Sequence, residues 1–454
     1  MKKLLLVNPV GQTSGYLLSK FSTIPPLSLA YIAAETPSDW QVSIADENFA
    51  PIPFEDADLV GITAFTSSIN RAYEIARQYR DRGIKVIIGG IHASMLPDEA
   101  LRYADAVVVG EGEGIWKEVI KDFEHNCLRR KYFGPRLDLS QNQIRPRRDL
   151  LDSRYVFHSI QTSRGCPFNC NFCTVSKYLG QEFRQRSVRD VLEELQEIPG
   201  DLLFFLDDNL IGYSRESKQR AIDIFEGMIK LGLNKKWWMQ TSIDSADDDQ
   251  VLKLAAEAGC MLAFIGFETI RTQTLKNMKK GINLKIGIKN YKKVIDAFHT
   301  HGIGVVGAFI LGNDYESPNY YKEMAKFVVR SGIDVVQLAI LTPLPGTELM
   351  AQMEKEGRLL YNSFPKDWDK YRLSYVVQNP KGLEPATIYI GNNYIKNHIY
   401  SFPWAQYRML RSFFSLKNPT NFYAAYRYNK ALKKSWRGSH YFKKYPAKFP
   451  HPPA

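Results

Sequence analysis

Residues 161–175, QTSRGCPFNCNFCTV, place three of the chain's five cysteines, Cys166, Cys170 and Cys173, at C-x3-C-x2-C spacing. Three thiolates from one short loop can each hold one iron of a cubane [4Fe–4S] cluster. The ordinary cluster takes four cysteines, so the fourth iron is left open to another ligand. Structural zinc fits less well, because it uses four N or S ligands, usually as two separated pairs. Here the nearest upstream histidine, His158, lies eight residues before Cys166, and no second cysteine pair exists. A disulfide framework fails on arithmetic: five is odd, and MKKLLLVNPV is no secretory signal, its apolar run stopping at Val7 before Asn8-Pro9. An intracellular, reducing setting is the expectation.

Around the loop, strand signals recur at intervals of roughly thirty residues across 156–347: FHSIQTSRG, DLLFFLDDN, KWWMQTSID, MLAFIGFET, GVVGAFILG and VVQLAILTPLPG. Amphipathic stretches such as VRDVLEELQEI and DQVLKLAAEAG separate them. Six strands alternating with helices predict a parallel (β/α)6 partial barrel, whose functional residues gather at the carboxyl ends of the strands. The cysteine loop follows the first strand.

The other strand ends supply further candidates. Asp207 and Asp208 are adjacent carboxylates closing an apolar run, a costly arrangement unless a cation or donors meet them or one caps the next helix. Gln240, Ser242 and Asp244 alternate and so are expected on one strand face. Glu268, beside Gly266, reads equally as a ligand contact or as half of a buried ion pair with a neighbouring strand. Two prolines bracket Leu344 in TPLPGT and fix an extended turn. Cys127 is solitary, and Cys260 reads as a small buried hydrophobe.

Residues 1–125 alternate apolar β-branched runs with amphipathic stretches, the pattern of a doubly wound parallel sheet covered on both faces. Ligands of such sheets lie at the carboxyl ends of the strands, where the sequence has Thr66, Ser67 and Ser68, then Gly89, Gly90 and His92, then Gly110 and Glu111. Glycines admit a bulky ligand and hydroxyls bond its polar groups. No G-x-G-x-x-G follows the first strand, which argues against a nicotinamide or flavin site. Residues 126–155 are charged, Pro-bearing and aperiodic, and read as a linker.

Residues 348–454 read as a mainly helical region. From Pro385 to Ala454 there are twelve Lys and Arg and no Asp or Glu, so the whole formal charge of +12 sits there and the first 384 residues are net neutral. Interleaved aromatics, as in SFPWAQYRMLRSFF, suit an anionic membrane surface, or equally a cationic cap packed on the barrel. No RNA-binding motif accompanies the charge, which argues against nucleic acid. No run of about 18 apolar residues spans a bilayer. A cytoplasmic protein, peripheral at the membrane, is expected.

The cysteine loop, with aromatic Phe172 before its third cysteine, resembles that of the radical S-adenosylmethionine (SAM) enzymes. PPLSLAYIAA, DLVGITAFTSSINRAYEIA, GGIHAS and VVVGEGE resemble the cobalamin-binding domain that precedes the barrel in one large class of them; the resemblance covers about residues 1–385. It implies that SAM chelates the open iron and is cleaved by one electron, from a flavodoxin or ferredoxin, to methionine and a 5'-deoxyadenosyl radical. It further implies Phe172 near adenine, although a core aromatic is an equal reading. Asp207 and Asp208 would meet the SAM amino group and Ser242 the ribose or carboxylate. Gly266 and Glu268 would line the cofactor, and Leu344 would touch adenine. A corrinoid tail would lie among Thr66, Ser67, Ser68, Gly89, Gly90, His92, Gly110 and Glu111. The D-x-H-x-x-G motif is absent, so the cobalt is expected without a histidine ligand, and His92 touches the tail or caps its loop.

The implied activity is C-methylation of an unactivated carbon in a small-molecule or lipid-like substrate. Cyclisation, rearrangement or oxygen insertion with the same cofactors is the alternative, and a non-catalytic corrinoid sensor the alternative outside catalysis. A methylthiotransferase acting on transfer RNA needs a second cluster with three more cysteines, and only the separated Cys127 and Cys260 remain.

Overall fold

The computed structural model describes residues 1–11, 24–141 and 144–449. Six parallel strands, β1 (Lys2–Asn8), β2 (Trp40–Asp46), β3 (Leu59–Thr63), β4 (Lys85–Gly89), β5 (Ala106–Gly110) and β6 (Lys131–Gly134), form the first sheet in the order β2-β1-β3-β4-β5-β6. Alternate residues serve opposite faces. Leu5, Val7, Val60, Ile62 and Ile88 pack with Tyr73, Ile75 and Tyr79, while Leu4, Leu6, Leu59 and Ile87 pack with Trp40, Trp116 and Val119. Full burial of such a side chain contributes about 1.5–3 kcal/mol, which is why these strands read as continuous apolar runs. Strand order reverses between β1 and β3, the switch point where a crevice opens above the carboxyl ends.

The stretch read as a linker contributes β6, paired with β5 from Val107↔Lys131 to Gly110↔Gly134. It escaped the sequence pattern because only Tyr132 of KYFG is buried, leaving no alternation to see.

The second sheet contains β7 (His158–Ile160), β10 (Leu202–Phe205), β11 (Lys236–Thr241), β12 (Cys260–Glu268), β13 (Gly304–Leu311) and β14 (Val335–Ile340), all parallel, in the order β14-β13-β12-β11-β10-β7. Strands β7 and β14 are its two edges, so the barrel is open. A short ribbon, β8 (Ser163–Arg164) with β9 (Arg184–Gln185), brackets the cysteine loop. Helix Arg215–Lys230 shows how the outer layer is built. A Ser214/Ser217 capping box starts it, and Ala221, Ile224, Phe225 and Met228 recur at helical spacing on its buried face, Phe225 stacking on Trp237 at 5.3 Å.

Four C-terminal helices, Pro385–Tyr400, Trp404–Leu416, Pro419–Gly438 and His440–Lys444, complete the chain. The third runs under the amino ends of the strands: Asn421 Nδ2 donates to the Gly302 carbonyl at 2.9 Å, and Tyr428 packs on Trp238 with ring centroids 5.2 Å apart. Among the described residues no helix is long and apolar enough to cross a membrane.

Candidate active site

The cysteine loop is held from several sides. Gly165 starts it at φ +94°, and a Cβ there would lie 2.0 Å from the Glu182 carbonyl oxygen, so both the turn and the close approach need glycine. The Cys166 N–H donates to the Gly180 carbonyl at 3.1 Å. Asn171 donates from its backbone to Met278 (3.2 Å) and from Nδ2 to Asn277 (2.9 Å), while its carbonyl accepts from Leu349 N–H (2.9 Å).

Burial pushes the Cys170 thiol up and the Cys173 thiol up to about 12, so the protein alone keeps them protonated. A metal centre supplies the missing positive charge, because binding deprotonates its thiol ligands. Among the described residues no three side chains converge on a single metal ion. The three thiols fit a cluster.

Two polar groups border the thiols. Tyr213 OH lies 3.3 Å from Cys166 Sγ, its ring edge-on to Phe168 and Phe183. Lys280 Nζ bonds Glu268 Oε1 at 2.7 Å, and its charge reaches Cys170 and Cys173. Glu268 adopts φ +65°, uncommon outside glycine. Its carboxylate turns back over Gly266, where a Cβ would meet Oε1 at 2.3 Å. The partner of Glu268 is therefore a lysine of the following loop rather than a residue of the next strand.

The two carboxylates after β10 have separate tasks. Asp207 is fully buried and accepts from Thr162 N–H (3.1 Å), Thr162 Oγ1 (2.8 Å) and Ser163 Oγ, which ties β10 to the start of the cysteine loop. Its oxygens are spent on the fold. Asp208 has no hydrogen-bond partner among the described residues and lines a cavity. Burial, reinforced by the Asp207 charge, pushes its carboxyl up to about 7.

That cavity, about 500 Å³, joins the two sheets. Its apolar floor is Leu6, Gly61, Ile87, Val108 and Trp116, its rim includes Gly89, Gly90 and Gly110, and its far wall is Tyr178, Leu206 and Asp208 of the barrel. Glycine is required at the rim, since Gly90 adopts φ +90° and a Cβ there would lie 3.0 Å from the Ala64 backbone nitrogen. An apolar slot of this kind under a glycine rim fits the flat base of a corrinoid tail.

The remaining candidates lie elsewhere. Thr66, Ser67, Ser68 and His92 are outside the cavity walls. His92 is fully buried, its ring nitrogens 3.2 Å from Thr66 Oγ1 and Glu99 Oε1. Glu111 lines the cavity, yet its carboxylate is taken by Arg164 (2.9 Å) and Arg184. Strand β11 ends at Thr241, so Ser242 and Asp244 leave the expected strand face for the 3-10 turn Ile243–Asp247; there Ser242 Oγ accepts from Asn209 Nδ2 (2.9 Å) and donates to Asp244. Phe172 packs with Met278, Leu341 and Leu349. Leu344 packs against the core of the first sheet, where a Cβ on neighbouring Gly346 would meet Met95 Sδ at 2.4 Å. Sequence reasoning missed Lys280, Tyr213, Arg164 and Arg184; only the TSRG run before Cys166 hinted at one of them.

A B12-binding-domain family model matches residues 15–120, and a radical SAM superfamily model matches residues 160–328. Bacteriochlorophyllide d C-12(1)-methyltransferase of Chlorobaculum tepidum is 32% identical over 402 residues, covering 84% of either chain. This chain belongs to the cobalamin-dependent radical SAM methyltransferases. The hopanoid C-2 methylase of Rhodopseudomonas palustris is 29% identical over 75% of this methyltransferase and 66% of its own length. Among solved structures, the methyltransferase TsrM of Kitasatospora setae, with cobalamin and a [4Fe–4S] cluster bound, shares the fold at TM-score 0.67 and 17% identity, over 94% of this chain and 100% of its own. The cobalamin-dependent radical SAM enzyme OxsB shares it at TM-score 0.69 and 16% identity, over 96% and 71%. The cofactors of this methyltransferase are a [4Fe–4S] cluster, SAM and cobalamin.

Proposed function

We propose that this methyltransferase adds a methyl group to an unactivated carbon of a largely apolar polycyclic or lipid-like molecule. The observation that carries the reading is the cavity running from the floor of the first sheet to Asp208, which leaves the corrinoid slot and the cysteine loop facing one another. Bound together, the three cofactors supply a carbon-centred radical and a methyl donor to meet it.

In this reading Cys166, Cys170 and Cys173 ligate three irons. Asp208, the carboxylate left free, accepts from the amino group of SAM and faces its positive charge. Asp207 positions the loop through Thr162 and Ser163. Gly89, Gly90 and Gly110 admit the corrinoid tail, and Thr66, Ser67, Ser68 and His92 shape the loops beneath that rim. Glu268, Gly266 and Lys280 close the side of the SAM site next to the thiols; Phe172, Ser242 and Leu344 support its walls from behind. These side chains hold the reactants in line and keep water out, which is what the protein contributes in such chemistry.

A one-electron donor of the flavodoxin or ferredoxin class serves the cluster. Region 385–454, of which 450–454 lie outside the described residues, faces an anionic membrane surface. The relatives' names, which specify a bacteriochlorophyllide and a hopanoid, support a bulky apolar substrate.

Anaerobically reconstituted enzyme with reductant and candidate substrates is the test. Product heavier by one CH2, together with deoxyadenosine and S-adenosylhomocysteine, is expected, and Cys166→Ala abolishes all three. A product of unchanged carbon count would refute methyl transfer.

A further inference from the structure

Helix Trp404–Leu416 is built inside out. Its buried face carries Arg408, Ser412 and Leu416 at i, i+4 and i+8, while Tyr407, Leu410, Phe413 and Phe414 point away from the protein. Leu410 is 58% exposed and Phe414 71%, whereas Arg408 is 7% exposed. Of the eighteen large apolar side chains exposed among the described residues, ten fall between Phe402 and Phe442. Soluble proteins rarely concentrate apolar surface in this way unless something covers it.

The helix lies far from the chemistry. Arg408 Nη2 donates to the Asp334 carbonyl at 3.0 Å and Arg411 Nη1 to the Arg330 carbonyl at 2.6 Å, just before β14. This is the amino end of the strands, opposite the cysteine loop. The exposed face is therefore not one wall of the active site.

Charge says what covers it. The helix, its C-cap and the helix that follows carry Arg411, Lys417, Arg427, Lys430 and Lys434, and no acidic residue occurs from Pro385 onward. Between this helix and Pro419–Gly438 lies a cavity of about 320 Å³, lined by Arg408, Ser412, Asn429, Lys430 and Lys433, with the exposed Met409 and Tyr426 also in its walls. Arg408 Nε has no hydrogen-bond partner among the described residues. Asp334 shares the cavity wall: its Oδ2 is engaged by His299 Nε2 (2.8 Å) and Val305 N–H (2.8 Å), its Oδ1 is buried without a hydrogen-bond partner among the described residues, and its charge offsets part of that of Arg408, leaving Lys430 and Lys433 as the wall's other cations. A second protein copy would bring the same uncompensated charge to the contact and repel, whereas a phosphate-bearing surface with an apolar interior matches both features.

We propose that helix Trp404–Leu416 inserts its outward face into an anionic phospholipid bilayer, with a lipid phosphate received by Arg408, Lys430 and Lys433. This deepens the reading of region 385–454 as a membrane-facing surface and is independent of the radical chemistry.

The full chain is mixed with vesicles of phosphatidylcholine containing phosphatidylglycerol, or of phosphatidylcholine alone, and sedimented at low salt. Wild type is expected to pellet with the anionic vesicles. Leu410→Glu/Phe414→Glu, at exposed positions, is expected to bind about tenfold or more weakly, with unchanged thermal unfolding and unchanged deoxyadenosine formation in buffer. Lys430→Gln/Lys434→Gln, a second route should the first variant misfold, weakens anionic binding by a similar factor, since each cation near the surface contributes about 1 kcal/mol. Phosphatidylglycerol with brominated acyl chains quenches wild-type tryptophan emission, and Trp404→Phe removes that quenching.

Wild type left in the supernatant with anionic vesicles overturns both the membrane reading and the helix assignment. Wild-type binding matched by Leu410→Glu/Phe414→Glu overturns the helix assignment alone. A dimer that the same double variant dissolves assigns the face to a second copy and overturns the proposal.

Discussion

Glu111 of the first sheet and Arg164 of the cysteine loop are joined at 2.9 Å, both nearly sealed from water. Arg184 reaches the same carboxylate, and Arg164 also bonds Glu113 at 2.5 Å. Burial pushes the Glu111 carboxyl up, but the two arginines outweigh it and hold the group below the usual carboxylate range. Two carboxylates, Glu111 with both arginines and Glu113 with Arg164, thus tie the end of the first sheet to the cluster loop.

Glu111→Gln leaves the buried Arg184 guanidinium without its carboxylate and Arg164 with Glu113 alone. Breaking a buried pair by removing one partner costs about 3–5 kcal/mol, and the loss is expected in denaturant unfolding. Glu113→Gln, with Arg164 still paired to Glu111, is expected to cost less. Equal losses would deny Glu111 this central position.

Asp208 predicts a pH dependence of SAM binding. Its carboxyl sits at about 7 in the free protein, and a cationic ligand prefers the ionised form. Affinity is therefore flat above about pH 7 and falls about tenfold per unit below it, with a proton released on binding. Asp208→Asn removes the dependence. The same shift has a sign for stability. A folded pKa above the ordinary 3.8 is a penalty, absent below the unfolded value, growing as pH rises between the two and constant above the folded one. Asp208→Asn should stabilise the apoprotein by one to a few kcal/mol above about pH 7 and not in acid. Calorimetric titration and thermal melts across pH measure both.

Asp207 acts through Thr162 and Ser163. Asp207→Ala strands the buried Thr162 N–H, and each such group costs about 1–3 kcal/mol. The expected outcome is lower iron content and a weakened cluster absorbance after reconstitution. Asp207→Asn keeps one acceptor oxygen and should recover part of the iron, a graded response that a residue touching only SAM would not give.

Apart from β6 and the β8–β9 ribbon, the strands and their order of appearance were legible because each is a local apolar run, and the cluster loop because its three ligands lie within eight residues. The partners of the candidate carboxylates were not, since each comes from another part of the chain: Arg164 and Arg184 for Glu111, Thr162 for Asp207, Trp368 for the Glu99 that holds His92. Polar strand-end residues therefore looked alike in sequence, although the fold leaves Asp208 facing the cavity and commits Asp207, Glu111 and His92 to packing. The C-terminal charge was visible as composition, but which helix face turned outward was decided by Arg408 reaching the carbonyls before β14.

Lys280 gives the last test, because its position beside the thiols makes it an electrostatic partner of the cluster. Burial lowers its pKa, but the Glu268 carboxylate outweighs it and keeps the ammonium protonated, and thiolates bound to a cluster would add to that. A fixed positive charge next to a cluster favours the reduced, more negative state. Lys280→Met removes that charge and is expected to move the cluster potential downward by on the order of tens of mV in an anaerobic redox titration followed by EPR. It also leaves Glu268 unpaired at its left-handed backbone position, so Lys280→Met/Glu268→Gln, which removes both charges, is expected to regain stability and much of the potential. A potential unchanged in both variants would reduce the pair to a brace for the loop over Gly266.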